Sequence, residues 1–163
     1  MQGTQRLIVM RHAKAGELPG GPDAERALRS RGRLDATAAG AWLRERGFIP
    51  DAVICSPARR ARQTWQRVRA ELGADVKVSN DPRLYAADAG ELAVIIAATP
   101  PRVATLMYVG HNPAAGELAG WLTGAQLDFP TAAIAVIDLP APWAQLLAGT
   151  GELAASWTPR TAA

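Results

Sequence analysis

Short continuous apolar runs alternate along the chain with longer stretches whose apolar positions recur at helical spacing. Leu7-Ile8-Val9-Met10 is the first run, with no polar alternation, and predicts a strand covered on both faces. Gly and Pro mark a loop over 16–22. Ala36, Ala39 and Leu43 then fall on one helical face, predicting a helix over 30–46 that stops at Gly47. Ala52 to Cys55 reads as the second strand. The stripe Ala61, Trp65, Val68, Leu72 predicts a helix over 57–72. A short strand over 76–78 and a helix over 90–99 follow, the latter ended by Pro100-Pro101. Leu106-Met107-Tyr108-Val109 reads as the fourth strand, 113–122 as a helix and 133–139 as the fifth strand. The tail, 143–157, reads as a β-hairpin turning at Gly149-Thr150-Gly151. Strands alternating with helices predict an α/β fold, a three-layer α/β/α sandwich with a largely parallel central sheet and an antiparallel edge near the C-terminus.

Composition narrows this picture. The 163 residues are 48% hydrophobic and 20% charged, a globular balance close to the size of one domain, so a single domain over 1–163 is expected. Cys55 is the single cysteine, which excludes a disulfide scaffold. The longest apolar run, 92–98, has seven residues. That is far short of the roughly 18 a membrane span needs. The apolar stretch before Arg11 is too short for a secretory signal, so a cytoplasmic protein is expected. Five tryptophans, Trp42, Trp65, Trp121, Trp143 and Trp157, are expected in the core. A small chain without an apolar seam is expected to be a monomer.

The charge is +3, and all but Lys14 and Lys77 of the 18 cations are arginine. An arginine excess is either a compositional habit or a means of bidentate oxyanion recognition. The arginines near 26–33 and 59–69 lie on helix-like stretches flanked by acids, with one aromatic between them. Nucleic-acid binding, which wants a basic stripe with interleaved aromatics, is therefore not expected.

Candidate chemistry gathers at strand ends. The chain has two histidines, and each directly follows a predicted strand: His12 after the first and His111 after the fourth. Ligands of open α/β sheets bind outside the carboxyl ends of the strands. Either histidine alone could simply be packed at a strand end; two at equivalent places, one beside Arg11, point to a site. Ser56-Pro57 and Asn112-Pro113 suit helix starts, and helix N-termini favour anions. Arg59, Arg60 and Arg62 fall in the first turns of the second helix, and spacing does not choose among them. The expected ligand is a phosphoryl group. Cys55 reads as a small buried hydrophobe rather than a nucleophile. No metal-ligand pattern and no P-loop occur, so neither a metal nor another cofactor is expected.

These residues resemble the histidine phosphatase superfamily in the form of the SixA-type phosphohistidine phosphatases. The resemblance rests on Leu7-Ile8-Val9-Met10-Arg11-His12-Ala13-Lys14-Ala15, on Ser56-Pro57-Ala58-Arg59-Arg60-Ala61-Arg62-Gln63-Thr64, and on Val109-Gly110-His111-Asn112-Pro113. Asp23, Arg26, Leu28 and Gly32 match the pattern of this branch before the first long helix. The resemblance implies a phosphoglycerate mutase-like fold, His12 as the nucleophile, and Arg11, Arg60 and His111 as the phosphate pocket, with no metal. It also singles out Arg60 among its neighbours. Arg26 and Asn112 are further candidate phosphate contacts; Arg26 could equally be a surface residue at a helix entry.

One departure bears on substrate. Many relatives carry a glutamate just after the third strand to protonate an alcohol leaving group, whereas here 82–88 offers no acid before Asp88, itself a candidate acid or a helix N-cap. A phosphorylated imidazole asks less of an acid than an alkoxide does. No insertion between Leu72 and Thr105 would cover the pocket. The expectation is a metal-independent, signalling phosphatase acting on phosphohistidine of a partner protein. The alternatives are a small-molecule phosphomonoesterase or mutase of the same superfamily, and a binding module that recognises phosphorylated ligands without turnover.

Overall fold

The computed structural model describes residues 3–159. Six strands, β1 (Thr4–Arg11), β2 (Ala52–Cys55), β3 (Lys77–Asn80), β4 (Thr105–Gly110), β5 (Ile134–Pro140) and β6 (Glu152–Trp157), form one sheet. Their order is β3-β2-β4-β1-β5-β6. The first four strands are parallel; β5 runs antiparallel to β1, and β6 antiparallel to β5. The helices are α1 (Ser30–Arg46), α2 (Arg59–Leu72), α3 (Ala89–Ala97) and α4 (Ala114–Thr123).

The apolar run of β1 is explained by its place in the sheet. Ile8 and Met10 pack into a core with Ala36 and Leu43 of α1 and Trp65 and Val68 of α2. Leu7 and Val9 face the opposite core, with Leu92 and Ile96 of α3 and Leu118 and Leu122 of α4. All four side chains are buried, each contributing roughly 1.5–3 kcal/mol. Helices therefore cover both faces, and the strand ends between them are left for chemistry. The α1–α2 pair packs closely at Gly40, where a Cβ would lie 2.9 Å from the Val68 Cα.

Three expectations are corrected. The tail is not a hairpin of its own. Trp143–Gln145 is a single 3-10 turn, and the buried Trp143 indole donates to the Val103 carbonyl at 2.8 Å. Only the second half forms a strand, which takes the longer apolar edge of β5 as its partner. Second, α2 starts at Arg59 rather than at Pro57. Ser56 Oγ accepts the Ala58 N–H at 3.2 Å, and this side-chain turn holds the chain out of helix for two more residues. Third, Trp121 is exposed, whereas Trp65 and Trp143 are core; Trp42 and Trp157 are half-buried and stack on each other at 6.4 Å. Among the described residues no helix is long and apolar enough to cross a membrane.

Candidate active site

The sheet order sets β2, β4 and β1 side by side, so Ser56, His111 and His12 leave adjacent strand ends. Backbone bonds lock this edge: His12 N–H donates to Gly110 O at 2.8 Å and Ser56 N–H to Val109 O at 3.0 Å. The imidazoles of His12 and His111 meet edge to face with centroids 5.2 Å apart. Arg11, His12, Arg26, Arg60, His111 and Asn112, all expected from the sequence to surround a phosphoryl group, line one cavity of about 490 Å³.

His12 is buried, and its Nδ1 lies 2.8 Å from the Ala13 carbonyl. A carbonyl can only accept, so Nδ1 carries the proton and Nε2 keeps its lone pair. Burial pushes the His12 pKa down to about 3, reinforced by His111, Arg60 and Arg11 and opposed by the Ala13 hydrogen bond. The ring is thus neutral in the physiological range. His111 is likewise pushed down to about 4, mainly by burial and then by Arg60, with Asp23 pulling the other way. Its Nε2 shares a 2.7 Å hydrogen bond with the buried Ser56 hydroxyl, which fixes the ring plane.

Geometry separates the three arginines of α2. Arg59 is exposed, Arg62 folds back to donate to the Pro57 carbonyl at 2.8 Å, and Arg60 is buried at the cavity. Arg60 is held by Asp23 through two bonds, to its carbonyl at 2.9 Å and to its carboxylate at 3.0 Å. The Nε–H groups of Arg11 and Arg60 are buried without a partner among the described residues, so these guanidiniums retain donor capacity. Arg26 bonds the Asp23 carboxylate at 2.9 Å and the Gly16 carbonyl at 3.1 Å. Asn112 is engaged at both ends of its amide: it donates to Phe129 O at 2.8 Å and accepts from Gly116 N–H at 3.1 Å. Its clearest work is to cap the start of α4 against the loop before β5.

The remaining motif residues support the site from beneath. Ala13 N–H donates to Thr64 Oγ1 at 3.0 Å, and that hydroxyl donates to Arg60 O at 2.7 Å. One buried side chain therefore ties the residue after His12 to the turn carrying Arg60. Gln63 accepts from Leu28 N–H at 2.8 Å. Ala132 N–H donates to His12 O at 3.0 Å from a left-handed conformation, φ 65°, a strain of about 1–2 kcal/mol that the surrounding pairing sustains.

Lys14, Ala15, Asp23, Tyr85 and Thr131 complete the cavity wall. Tyr85 donates its phenol to Asp23 Oδ2 at 2.5 Å and sets its ring against His111 at 5.7 Å. Sequence reasoning missed Tyr85 and Thr131, and the role of Asp23 as the hub that holds Tyr85, Arg26 and Arg60. The match of Asp23 to the pattern before α1 was the one available signal. Asp23 is held well below the ordinary carboxylate range, first by the Tyr85 hydrogen bond and then by Arg26 and Arg60. Asp88 is an N-cap in a reciprocal capping box with Glu91, and it does not line the cavity. Among the described residues no cluster of three or more His, Cys, Asp or Glu could hold a metal ion. Cys55 is buried and its thiol is pushed up to about 12 by burial.

Residues 7–104 match the sequence model of the histidine phosphatase superfamily, branch 1. The chain belongs to the histidine phosphatase superfamily. A Mycobacterium tuberculosis relative, named only as uncharacterized protein Rv1276c, is 38% identical over 162 residues, spanning 93% of this chain and 100% of the relative. Among solved structures, a candidate phosphohistidine phosphatase SixA from Nakamurella multipartitia superposes with a TM-score of 0.85 at 32% identity, covering 98% of each chain. The protein histidine phosphatase SixA in complex with tungstate superposes with a TM-score of 0.79 at 27% identity, covering 93% of this chain and 96% of the other. The fold is that of the SixA branch, phosphoglycerate mutase-like.

Proposed function

We propose that this histidine phosphatase removes the phosphoryl group from phosphohistidine on a partner protein, as a single domain and without a metal ion, through a phosphorylated His12. The observation that carries the reading is the His12 tautomer: Nδ1–H is committed to Ala13 O, leaving a neutral Nε2 in a cavity lined by four cations, Arg11, Lys14, Arg26 and Arg60. In the first step the Nε2 lone pair attacks phosphorus in line with the leaving nitrogen; the Nε2–P bond forms as the substrate N–P bond breaks, and its electron pair returns to the departing ring. Arg11 and Arg60 meet the negative charge of the phosphoryl oxygens. His111, drawn towards protonation by a bound dianion, donates to one of them. In the second step water attacks phosphorus, the pair returns to His12 Nε2, and the water proton leaves on inorganic phosphate. Throughout, Ala13 O keeps the second proton of the His12 ring, so the ring is expelled as a neutral imidazole. The tungstate held by a structural neighbour, a tetrahedral oxyanion, is in keeping with such a pocket.

The choice of phosphohistidine over an alkyl phosphate rests on the acids. Asp88 is spent on a capping box, and Asp23 is the sole carboxylate among the residues lining the cavity and is held ionised. Neither is placed to protonate an alkoxide. The test is phosphate release from a phosphohistidine-bearing protein, with chelator present, by wild type and by His12→Ala. Release by wild type that is lost in the variant supports the reading. Turnover of alkyl phosphates with none of phosphohistidine would turn it towards a small-molecule phosphomonoesterase, and binding without release towards a recognition module.

A further inference from the structure

A carboxylate in a phosphate pocket weakens anion binding, so the presence of Asp23 calls for an account. Its side chain is about half exposed at the cavity mouth, while His12 is buried at the floor. In-line attack by His12 sends the leaving group away from the floor, towards the mouth. What leaves there matters. A neutral phosphohistidine ring carries phosphorus on one nitrogen and a bare lone pair on the other, and expelling it directly would give a poor imidazolide anion. Protonated at the second nitrogen, the same ring departs as neutral imidazole.

Resting on the phosphohistidine reading above, we infer that the Asp23 carboxylate holds the ring proton of the substrate's phosphohistidine, so that the ring leaves as a neutral imidazole. A carboxylate offers about four lone-pair positions. Arg26, Arg60 and Tyr85 fill three of them, and the open side faces solvent at the mouth. Its ionised state, sustained by these same three donors, lets it accept from an N–H and stabilise a cationic ring. Asp23 would then do for the substrate's imidazole what Ala13 O does for the enzyme's own. The bonds balance: the proton stays on the substrate ring, the N–P electron pair returns to that ring, and the new bond is to His12 Nε2. The charged and titratable groups facing Asp23 are Arg26, Arg60 and Tyr85, with Arg11, Lys14, His12 and His111 across the cavity.

The test compares kcat/KM for a phosphohistidine-bearing protein with kcat/KM for p-nitrophenyl phosphate, whose leaving group departs without a proton, over about pH 6 to 8.5. Wild type, Asp23→Asn and Asp23→Glu are compared, each checked for folding by thermal melt. In Asp23→Asn the ratio of the two values is expected to fall about tenfold or more near pH 8. The deficit should shrink towards pH 6, where solvent protonates the ring, and Asp23→Glu should recover part of the ratio. A ratio equal to wild type at every pH, with both substrates losing alike, would show that Asp23 only orients Arg60 and would overturn the inference. Wild type that turns over p-nitrophenyl phosphate but not phosphohistidine would overturn the underlying functional reading instead.

Discussion

The two histidines make a prediction that can be worked through without any substrate. Folding buries both as neutral rings, with pKa values of about 3 for His12 and about 4 for His111, against about 6.5 in the unfolded chain. Below pH 6.5 the unfolded state binds protons that the folded state refuses, so stability is full above that pH and is lost as the pH falls towards the folded values. At pH 5 the unfolded state gains about 2 kcal/mol per histidine, since each pH unit below the unfolded pKa is worth 1.36 kcal/mol. His12 should deliver most of its share. His111 is more accessible and should deliver less, on the order of 1 kcal/mol after solvent screening. A total near 3 kcal/mol is large against the 5–15 kcal/mol typical of a domain. The assay is urea unfolding at pH 7, 6 and 5 in a buffer free of phosphate and sulfate, for wild type and His12→Asn. Wild type should lose about 3 kcal/mol across the range, and the variant about 2 kcal/mol less than that. Because the chain has only two histidines, NMR can follow both ring signals directly. Stability that stays flat from pH 7 to 5, or a ring that titrates near 6.5 in the folded protein, would refute the reasoning.

Other consequences follow from single contacts. Thr64→Val leaves the buried Ala13 N–H without its acceptor and should cost about 1–3 kcal/mol in urea unfolding; it should also lower kcat, because the loop carrying His12 loses its tie to α2. Arg60→Lys keeps the charge but loses the two-point hold on Asp23, and kcat/KM should fall about 10²–10³-fold in steady-state assays. Gly32→Ala would drive a Cβ into the Lys14 carbonyl, so the variant should be destabilised by roughly 1–3 kcal/mol or more, seen as a lower melting temperature.

Much of this architecture was legible because β1, β2 and β4 are interior strands whose uninterrupted apolar runs have few other readings. The positions of His12 and His111 followed from those runs, since residues after parallel strands face the ligand edge. Arg60 could not be told from Arg59 and Arg62 by spacing, because the choice depends on where the turn at Ser56 releases the helix. Tyr85 was invisible for a deeper reason: its partner Asp23 is 62 residues away, and nothing local marks a tyrosine in a loop as part of a cavity wall. The tail misled because an apolar stretch around a Gly turn resembles a hairpin, whereas Trp143 is consumed by the core and β6 is left to pair with β5. Trp121 shows the limit of treating tryptophan as core; on α4 it points outward while Leu118 and Leu122 point in.

The central claim is the covalent intermediate on His12. Its most direct measurement is a rapid quench of enzyme with a radiolabelled phosphohistidine protein under alkaline conditions, which preserve phosphohistidine, followed by peptide mapping by mass spectrometry. The account predicts label on the peptide containing His12, stable to base and labile to acid, absent from His12→Ala and accumulating in any variant slowed in the water step. Phosphate release at full rate with no label on His12 at any time, or undiminished release by His12→Ala, would contradict it.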